Sequence, residues 1–328
     1  MNIRKLITAG IMVMAAMCAA AEPTVTDVVA KQRYPWNGLV DITCKVTGIS
    51  GTDQWKFSVA AVMPDTENAR KVSQFWVVKN GVNSTDKKVQ ANGTYKLLWD
   101  AKAELGQVTY DNMVMRVNVV DLHDKVQLWE GGPYWATTNI GAENPEDYGY
   151  YFWWGDTVGY KREGNAWVAT DGSSSNFSFS SGNTPTYNKI TSTLQSEGWI
   201  TADSVLVPAH DAAHVHWGGN WRMPTDAEFS ALISNCTTTW TTQNGVYGRL
   251  VTGKGAYADR SIFLPAAGNG RGSSLYGPGS YGLYWSSTLL SGISNYAWSL
   301  YFGSGYFDRD YYDRYYGQSV RPVRGFAE

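Results

Sequence analysis

The sequence predicts two domains, an all-β sandwich followed by a domain that mixes strands with two helices. Its 328 residues exceed the usual size of a single domain. Short apolar or alternating segments, separated by turns that contain Gly and Asn, fill residues 22–122. Within residues 123–328, which are rich in Trp, Tyr and Gly, a strongly capped helix interrupts further strand-like segments. The order of these patterns predicts the order of the domains.

Residues 1–21 have the pattern of a secretory signal peptide. Arg4 and Lys5 precede an apolar run over residues 6–18, and three alanines follow before Glu22. Cleavage after Ala21 predicts a protein that is secreted or held in the cell envelope. Lipid attachment at Cys18 is a weaker alternative, because the preceding Met17 is bulkier than such signals usually allow.

Composition and charge limit the partners. The formal net charge is −2 and no block of basic residues is present, which argues against binding to nucleic acid or to an anionic membrane. After the signal peptide no run of about 18 apolar residues occurs, so we expect no membrane span.

The first domain, residues 22–122, is predicted to be an immunoglobulin-like β-sandwich that acts as a spacer. Its predicted strands cover residues 39–47, 55–63, 74–78, 94–99 and 113–120. Cys44 lies here and Cys236 lies in the second domain. Two cysteines in different domains cannot form a disulfide framework, and we expect each to be a small buried hydrophobe.

In the second domain the helix predicted over residues 224–236 has the clearest sequence pattern. Thr225 is a natural N-cap, and Glu228 three residues later completes a capping box. Positions 229, 232, 233 and 236 then fall on one face and are predicted to be buried. A shorter helix is predicted over residues 211–217, ending at the Gly-Gly pair that follows.

Two stretches before these helices have weaker patterns. The aromatic residues 148–156 predict a strand that ends in a Gly-Asp turn. Residues 161–186, rich in Ser, Gly and Asn, predict a surface loop.

The C-terminal end is predicted to be a recognition surface. Residues 296–302 alternate strictly, which predicts a strand with Trp298, Leu300 and Phe302 in the core and Ala297, Ser299 and Tyr301 on display. The run 306–316 that follows is dense in Tyr and Asp. Tyrosine offers a large amphipathic contact with few rotatable bonds, and this composition is also used by antibody binding loops.

Several segments resemble a known bacterial secreted family. They are residues 150–156, 217–229 (WGGNWRMPTDAEF), 261–275, 284–288 (YWSST) and 317–324 (GQSVRPVR). In this order they resemble the Fibrobacter succinogenes major paralogous domain, which is similar to the C-type-lectin-like fold and to the formylglycine-generating-enzyme superfamily. Over residues 125–325 the resemblance implies an α+β C-type-lectin-like domain, with a twisted antiparallel sheet, two flanking helices and long loops that carry the binding face.

The same end is similar to the variable proteins of diversity-generating retroelements. That resemblance implies that YWSST, SVRPVR and the predicted core positions of residues 296–302 are scaffold. It also implies a set of exposed ligand-binding positions. They are Arg271, Tyr276, Ser299, Tyr301, Tyr306, Asp308, Asp310 and Tyr311.

Catalytic chemistry is not predicted. The cysteine-oxidising branch of that superfamily uses a pair of cysteines near its C-terminal end, and no cysteine follows Cys236. The related sulfoxide synthases take their iron ligands from a helical domain that has no counterpart in the sequence. The motifs Glu-Pro-Asn, Gln-Pro-Asp and Trp-Asn-Asp of calcium-dependent sugar sites do not occur. We therefore predict a non-enzyme without a cofactor.

Two metal hypotheses are weighed against structural roles. His210, His214 and His216 are clustered, and the first two are spaced to share a helix face. Asp308, Asp310 and Asp313 have a spacing suited to a cation, but two neighbouring arginines favour ion pairs instead. We predict no metal at either place.

The function that best fits these patterns is ligand binding outside the cell. We expect a secreted or surface-displayed protein that holds a protein or carbohydrate ligand at a cell surface. A cell-envelope structural protein without a soluble ligand is the first alternative. An enzyme of the formylglycine-generating type is the last.

Overall fold

The computed structural model describes residues 23–34, 37–49, 54–62, 69–106, 113–293 and 295–326. The predicted signal peptide lies outside them. Strands hold 49% of the described residues and helices 12%, so the described part of the protein is mainly β, with several antiparallel sheets. The described residues form two compact units that divide between Val120 and Asp121, and residues 54–56 belong with the second unit.

Nine described strands and one short helix build the first unit. The strands are β1 (Thr24–Gln32), β2 (Leu39–Thr47), β3 (Trp55–Val62), β4 (Ala69–Val72), β5 (Phe75–Lys79), β6 (Val82–Ser84), β7 (Lys88–Val89), β8 (Gly93–Asp100) and β9 (Val114–Asp121), and the helix is α1 (Ala101–Leu105). One sheet has the order β1-β2-β8-β5-β6. The other has the order β4-β3-β7, with β9 also paired to β3.

Alternation along these strands gives each sheet one buried face. In β5 of the first sheet, and in β3 and β9 of the second, buried side chains alternate with more exposed ones, because successive side chains of a strand point to opposite faces. The buried Cys44 of β2 has a free thiol, and burial raises its pKa to about 11. At Asn80 and Gly81 the backbone has positive φ angles of 50° and 80°, as the Asn-Gly pair of a tight β5–β6 hairpin requires.

The five strands predicted for this unit are confirmed as β2, β3, β5, β8 and β9, and the bounds of β2 are those predicted.

The second unit contains fourteen described strands and three α-helices. The strands are β10 (Lys125–Gln127), β11 (Pro133–Ala136), β12 (Tyr160–Glu163), β13 (Ala166–Ala169), β14 (Trp221–Arg222), β15 (Cys236–Gln243), β16 (Val246–Gly253), β17 (Ser261–Pro265), β18 (Asn269–Arg271), β19 (Ser274–Tyr276), β20 (Tyr281–Leu289), β21 (Tyr296–Gly303), β22 (Phe307–Asp313) and β23 (Val323–Phe326). The helices are α2 (Thr191–Ser196), α3 (Ala212–Trp217) and α4 (Asp226–Asn235). Short 3₁₀ helices occur at Ser181–Asn183, Pro208–His210 and Gly255–Tyr257.

Three sheets and two hairpins organise this unit. The sheets have the orders β10-β11-β23-β14, β15-β16-β17 and β20-β21-β22, and the hairpins are β12-β13 and β18-β19. Because β11 pairs with β23, the first and last parts of the unit are joined in one sheet. In the described part of the chain no helix is both long and apolar enough to cross a membrane.

Three apolar cores support these sheets. The first contains Trp154, Trp217 and Trp285, and the partly buried Tyr312 and Tyr316 pack against it. The second lies beneath α4 and includes Phe229, Leu232, Leu300 and Phe302. The third is mainly aromatic and includes Tyr151, Trp153, Trp167 and Phe179.

Both predicted helices are confirmed. In α4 the Thr225 side chain accepts a hydrogen bond from the Glu228 backbone, and the Glu228 side chain accepts one from the Thr225 backbone. The buried residues of α4 include Phe229 and Leu232, as the spacing predicts. The shorter helix α3 has Asp211 as its N-cap and ends at Gly218, whose φ is 71°.

The strand predicted over residues 148–156 is wrong. Only isolated bridges occur there, at Tyr151 and Phe152. Residues 151–154 are all buried, so both sides of this segment face protein and ring packing holds it in place of a ladder. The loop predicted over residues 161–186 is also wrong in part, since it contains most of the β12–β13 hairpin and the buried Phe179.

Candidate functional site

The register of the sheet β20-β21-β22 determines which side chains of the C-terminal end share a face. In its register Tyr301 lies opposite Asp308, and Ser299 lies opposite Asp310. Side chains that are directly opposite in an antiparallel pair lie on the same face. That face therefore carries Ala297, Ser299 and Tyr301 with Asp308, Asp310 and Tyr312. The other face carries Trp298, Leu300 and Phe302 with Phe307, Arg309 and Tyr311.

A connected set of tyrosine rings begins on the first face and continues onto the segments beside the sheet, and we name it the tyrosine band. Rings in contact have centroids 4.5 to 6.2 Å apart, and Tyr301 contacts both Tyr281 and Tyr306. The band consists of Tyr187, Tyr315, Tyr316, Tyr312, Tyr301, Tyr281 and Tyr306. Six of these side chains are half-buried, and Tyr306 is 40% exposed. Ring packing holds the band in place while part of each side chain remains accessible.

Two glycines make room for the rings at one end of the band. A Cβ on Gly277, where φ is +63°, would lie 1.9 Å from the Tyr281 ring. A Cβ on Gly303 would lie 2.8 Å from the Tyr306 ring. Tyr281 also donates its hydroxyl hydrogen to Oδ1 of Asn269 at 2.8 Å. The backbone and the β18–β19 hairpin thus fix both rings.

Burial raises the pKa of several phenols in the band. It raises the pKa of Tyr316 to about 12, and it also raises the pKa of Tyr306 and of Tyr312. For Tyr312 the nearby carboxylate of Asp310 adds to this effect. Near neutral pH these side chains are therefore hydroxyl groups that donate and accept hydrogen bonds.

Charged side chains border the band. Asp308 is exposed and Asp310 is half-buried on the same face of β22. Asp313 ends this strand and accepts a hydrogen bond from the Tyr187 hydroxyl at 3.3 Å. Burial raises the pKa of Asp313, although the Tyr187 bond and Arg271 oppose that rise. The guanidinium of Arg271 lies 5.4 Å from the ring centre of Tyr316.

The prediction that Ser299 is exposed is wrong. Its side chain is fully buried, and its hydroxyl donates to Oε1 of Gln318 at 2.8 Å. Ala297 is buried as well, whereas the predicted core residue Trp298 is half-buried. Both faces of β21 are covered in its central part, so strict alternation does not separate core from surface there.

Tyr311 is exposed, as predicted, but it does not lie with the other predicted positions. Tyr311 is exposed on the opposite face, where its ring contacts Tyr296 and Trp298. Tyr301, Tyr306, Asp308 and Asp310 do come together. Arg271 joins them through Tyr316, and Tyr276 is exposed on the adjoining hairpin.

Five band tyrosines were not among the predicted positions. Tyr312, Tyr315 and Tyr316 lie in the Tyr-rich run, so local composition signals them. Tyr281 and Tyr187 carry no such signal, since only the fold brings them to the band. The segments YWSST and SVRPVR are largely buried: Trp285 and Arg321, for example, have no exposed surface.

The histidine cluster is not a shared helix face. His210 belongs to the 3₁₀ helix that precedes α3 and stacks on Trp199 at 3.8 Å, whereas His214 lies in α3. His216 Nε2 lies 2.9 Å from the carbonyl oxygen of Thr157. Within the described ranges, no three His, Cys, Asp or Glu side chains are placed to hold a metal ion. Cys236 is buried with a free thiol, and burial raises its pKa to about 11.

Comparison with known families gives one match. Residues 254–323 match the family described as a domain of unknown function, DUF8237. The matched segment covers less than half of the chain and contains every tyrosine of the band except Tyr187. No curated protein matches the chain. No solved structure matches it either.

Proposed function

We propose that this chain is a non-enzymatic binding protein, secreted or displayed at the cell surface, whose tyrosine band holds a protein or glycan ligand. The observation that carries the proposal is the set of seven tyrosine rings in mutual contact, which begins on one face of the sheet β20-β21-β22 and continues onto the segments beside it. Tyrosine combines apolar contact area with a hydroxyl group, and it loses little conformational entropy when it binds.

The support beneath the band favours recognition over simple core packing. Tyr312 and Tyr316 pack on an apolar core, so their positions are set before any ligand arrives. A core requires apolar volume and gains nothing from hydroxyl groups left at the surface. Preorganised rings reduce the ordering cost of binding.

We propose further that the first unit is an immunoglobulin-like spacer and that the second unit has a C-type-lectin-like fold. Two sheets with alternating burial support the first assignment. The capped helix, the paired first and last strands, and the resemblance of residues 125–325 to the major paralogous domain family support the second. The signal-peptide pattern of residues 1–21 supports export.

An array experiment tests the binding function. Labelled protein is applied to immobilised glycans and peptides, and Tyr306→Ala is compared with the unsubstituted chain. Tyr306 is the exposed member of the band, so its loss removes contact area with little effect on the core. We expect the Tyr306→Ala variant to lose most of the signal at the spots that the unsubstituted chain binds.

Two other tyrosines serve as controls. Tyr247→Ala removes a tyrosine of β16 that is 51% exposed and lies outside the band, and Tyr311→Ala removes one from the opposite face. Both variants are expected to bind as the unsubstituted chain does, with similar melting temperatures. If the Tyr306→Ala variant bound the array as strongly as the unsubstituted chain, recognition would lie elsewhere and the proposal would be contradicted.

A further inference from the structure

We infer that the ligand of the tyrosine band is cationic, namely a peptide segment that presents lysine or arginine side chains. The inference rests on the proposed function, because it names the chemistry of the same site. It comes from the way the fold separates charges that are mixed in the sequence.

Along the sequence, the run 306–316 is nearly balanced, with three aspartates and two arginines. The fold removes both arginines from the band. Arg309 points to the opposite face, where its Nη1 lies 2.5 Å from Oδ2 of Asp226 in α4. Arg314 has no exposed surface and donates to the carbonyl oxygen of Lys189. Neither guanidinium is therefore placed to contact a ligand on the face that carries the rings.

The carboxylates stay beside the band. Asp308 lies opposite Tyr301, Asp310 lies next to Tyr312 in register, and Asp313 is bonded to Tyr187. Arg271 is the single basic side chain that we find bordering them among the described residues. Among the charged side chains that a ligand at the band could reach, three carboxylates face one guanidinium, because Arg314 has no exposed surface.

These carboxylates have no internal ion pair in the described part of the chain. Each accepts a hydrogen bond from a neighbour, and Asp310 also shares a hydrogen bond with the side chain of Tyr312. Oδ1 of Asp308 accepts from the Arg309 backbone at 2.7 Å, Oδ1 of Asp310 accepts from the Tyr311 backbone at 2.8 Å, and Oδ1 of Asp313 accepts from Tyr187. Acceptor capacity therefore remains for an incoming ammonium or guanidinium group.

The rings add a second attraction for the same chemistry. The face of a tyrosine ring attracts a lysine or arginine cation, and the aliphatic part of such a side chain packs on the ring. A neutral glycan would use the rings but would not require the excess of carboxylates. An anionic ligand would be repelled. Charge complementarity thus selects a basic peptide among the ligands that a tyrosine surface can hold.

Isothermal titration with simple probes tests this inference. The probes are a blocked lysine pentapeptide, a blocked glutamate pentapeptide and the neutral sugar cellopentaose. We expect the lysine peptide to bind, with an affinity that falls as salt is raised, because salt screens exposed charge pairs. We expect the glutamate peptide to give no heat.

A matched pair of triple variants locates the effect. Asp308→Asn, Asp310→Asn and Asp313→Asn together remove the charges of the band. Asp171→Asn, Asp203→Asn and Asp259→Asn make the same change in net charge at exposed positions of the second unit outside the band. We expect the first set to weaken lysine-peptide binding by at least about tenfold and the second set to change it little.

The outcomes separate this inference from the proposal beneath it. Equal losses in the two triple variants would mean that net charge alone attracts the peptide, and would overturn the inference. Binding of cellopentaose that needs Tyr306 but not the aspartates would overturn the inference and leave the binding function intact. Array binding that is indifferent to Tyr306 would overturn the binding function itself.

Discussion

Two fully buried arginines show how differently one residue type can be accommodated. Arg321 donates to Oδ1 of Asn139 at 2.8 Å and to the carbonyl oxygens of Ala136 and Phe263 at 3.0 and 2.9 Å. Arg314 donates from Nη2 to the Lys189 carbonyl at 2.8 Å, and its Nε and Nη1 have no partner among the described residues. Burial lowers the pKa of each to about 10, so both remain charged near neutral pH.

Replacement of each by methionine should separate these roles. Arg321→Met leaves three buried acceptors without a donor, and we expect it to lower the free energy of unfolding by about 3 kcal/mol or more. Arg314→Met loses one hydrogen bond but also removes a poorly paired buried charge, so we expect a change within about 1 kcal/mol. Urea unfolding measures both values. Equal destabilisation would show that Arg314 is held as firmly as Arg321.

Single positions also show where the sequence ceases to predict the site. The alternation of residues 296–302 correctly places Leu300 and Phe302 in the core. It fails for Ser299, because that residue is covered by the C-terminal segment that contains Gln318. The resemblance places Tyr311 among the exposed ligand-binding positions, but the period of two residues in a strand assigns it to the opposite face from Asp310 and Tyr312.

At the level of elements, α4 links local sequence signals to the position of the site. Oγ1 of Thr225 accepts from the Glu228 backbone at 3.2 Å, and Oε2 of Glu228 accepts from the Thr225 backbone at 2.8 Å. Glu228 also binds Arg222 through two hydrogen bonds of 2.7 and 2.6 Å. The first turn of α4 holds β22 through Asp226 and Arg309.

Graded substitutions test this cap. Thr225→Ala removes half of the capping box, and we expect a loss of about 1 kcal/mol. Glu228→Gln weakens both the cap and the paired contact with Arg222, so we expect a larger loss of about 2 kcal/mol. Ser234→Ala, at an exposed position of the same helix, should stay within about 0.5 kcal/mol. A Glu228→Gln variant as stable as the Ser234→Ala control would contradict this role.

Elements with local signals were predictable, and those without were not. The capping box, the apolar spacing of α4 and the alternation of β2 each lie within about ten residues of sequence. Residues 151–154 are held by contacts with distant segments. The indole of Trp154 donates a hydrogen bond to the Ser286 carbonyl oxygen, and the indole of Trp153 donates one to the Tyr315 carbonyl oxygen. A short continuous apolar run is also typical of a fully buried strand, and it has no alternation that would separate the two cases. The sequence therefore predicts a strand where the fold has none.

For the molecule as a whole, the candidate site is a product of tertiary structure. Composition alone indicates the Tyr-rich run 306–316, which holds four of the seven band residues, namely Tyr306, Tyr312, Tyr315 and Tyr316. The same composition did not separate Arg309 and Arg314 from the aspartates. Tyr187 reaches the band only because its segment packs beside Tyr315.

Because phenols are buried throughout the second unit, we expect the protein to lose stability at alkaline pH. Among the tyrosines that the structure describes, burial raises the pKa of nine, to about 12 for Tyr284 and Tyr316. The nine are Tyr148, Tyr151, Tyr160, Tyr187, Tyr281, Tyr284, Tyr306, Tyr312 and Tyr316. The folded state therefore keeps protons that the unfolded chain loses near pH 10.

Since the folded state binds more protons above that pH, the free energy of unfolding should fall as pH rises from about 10 to about 12. The stabilisation is fully present below the unfolded pKa and is lost as the buried phenols ionise. Phenolate absorbance across this range should be lower for the native protein than for the chain in guanidinium chloride, and urea midpoints should decrease in parallel. Superimposable native and denatured titrations would mean that the rings are open to solvent, and the tyrosine band would then lack the packing that holds it in place.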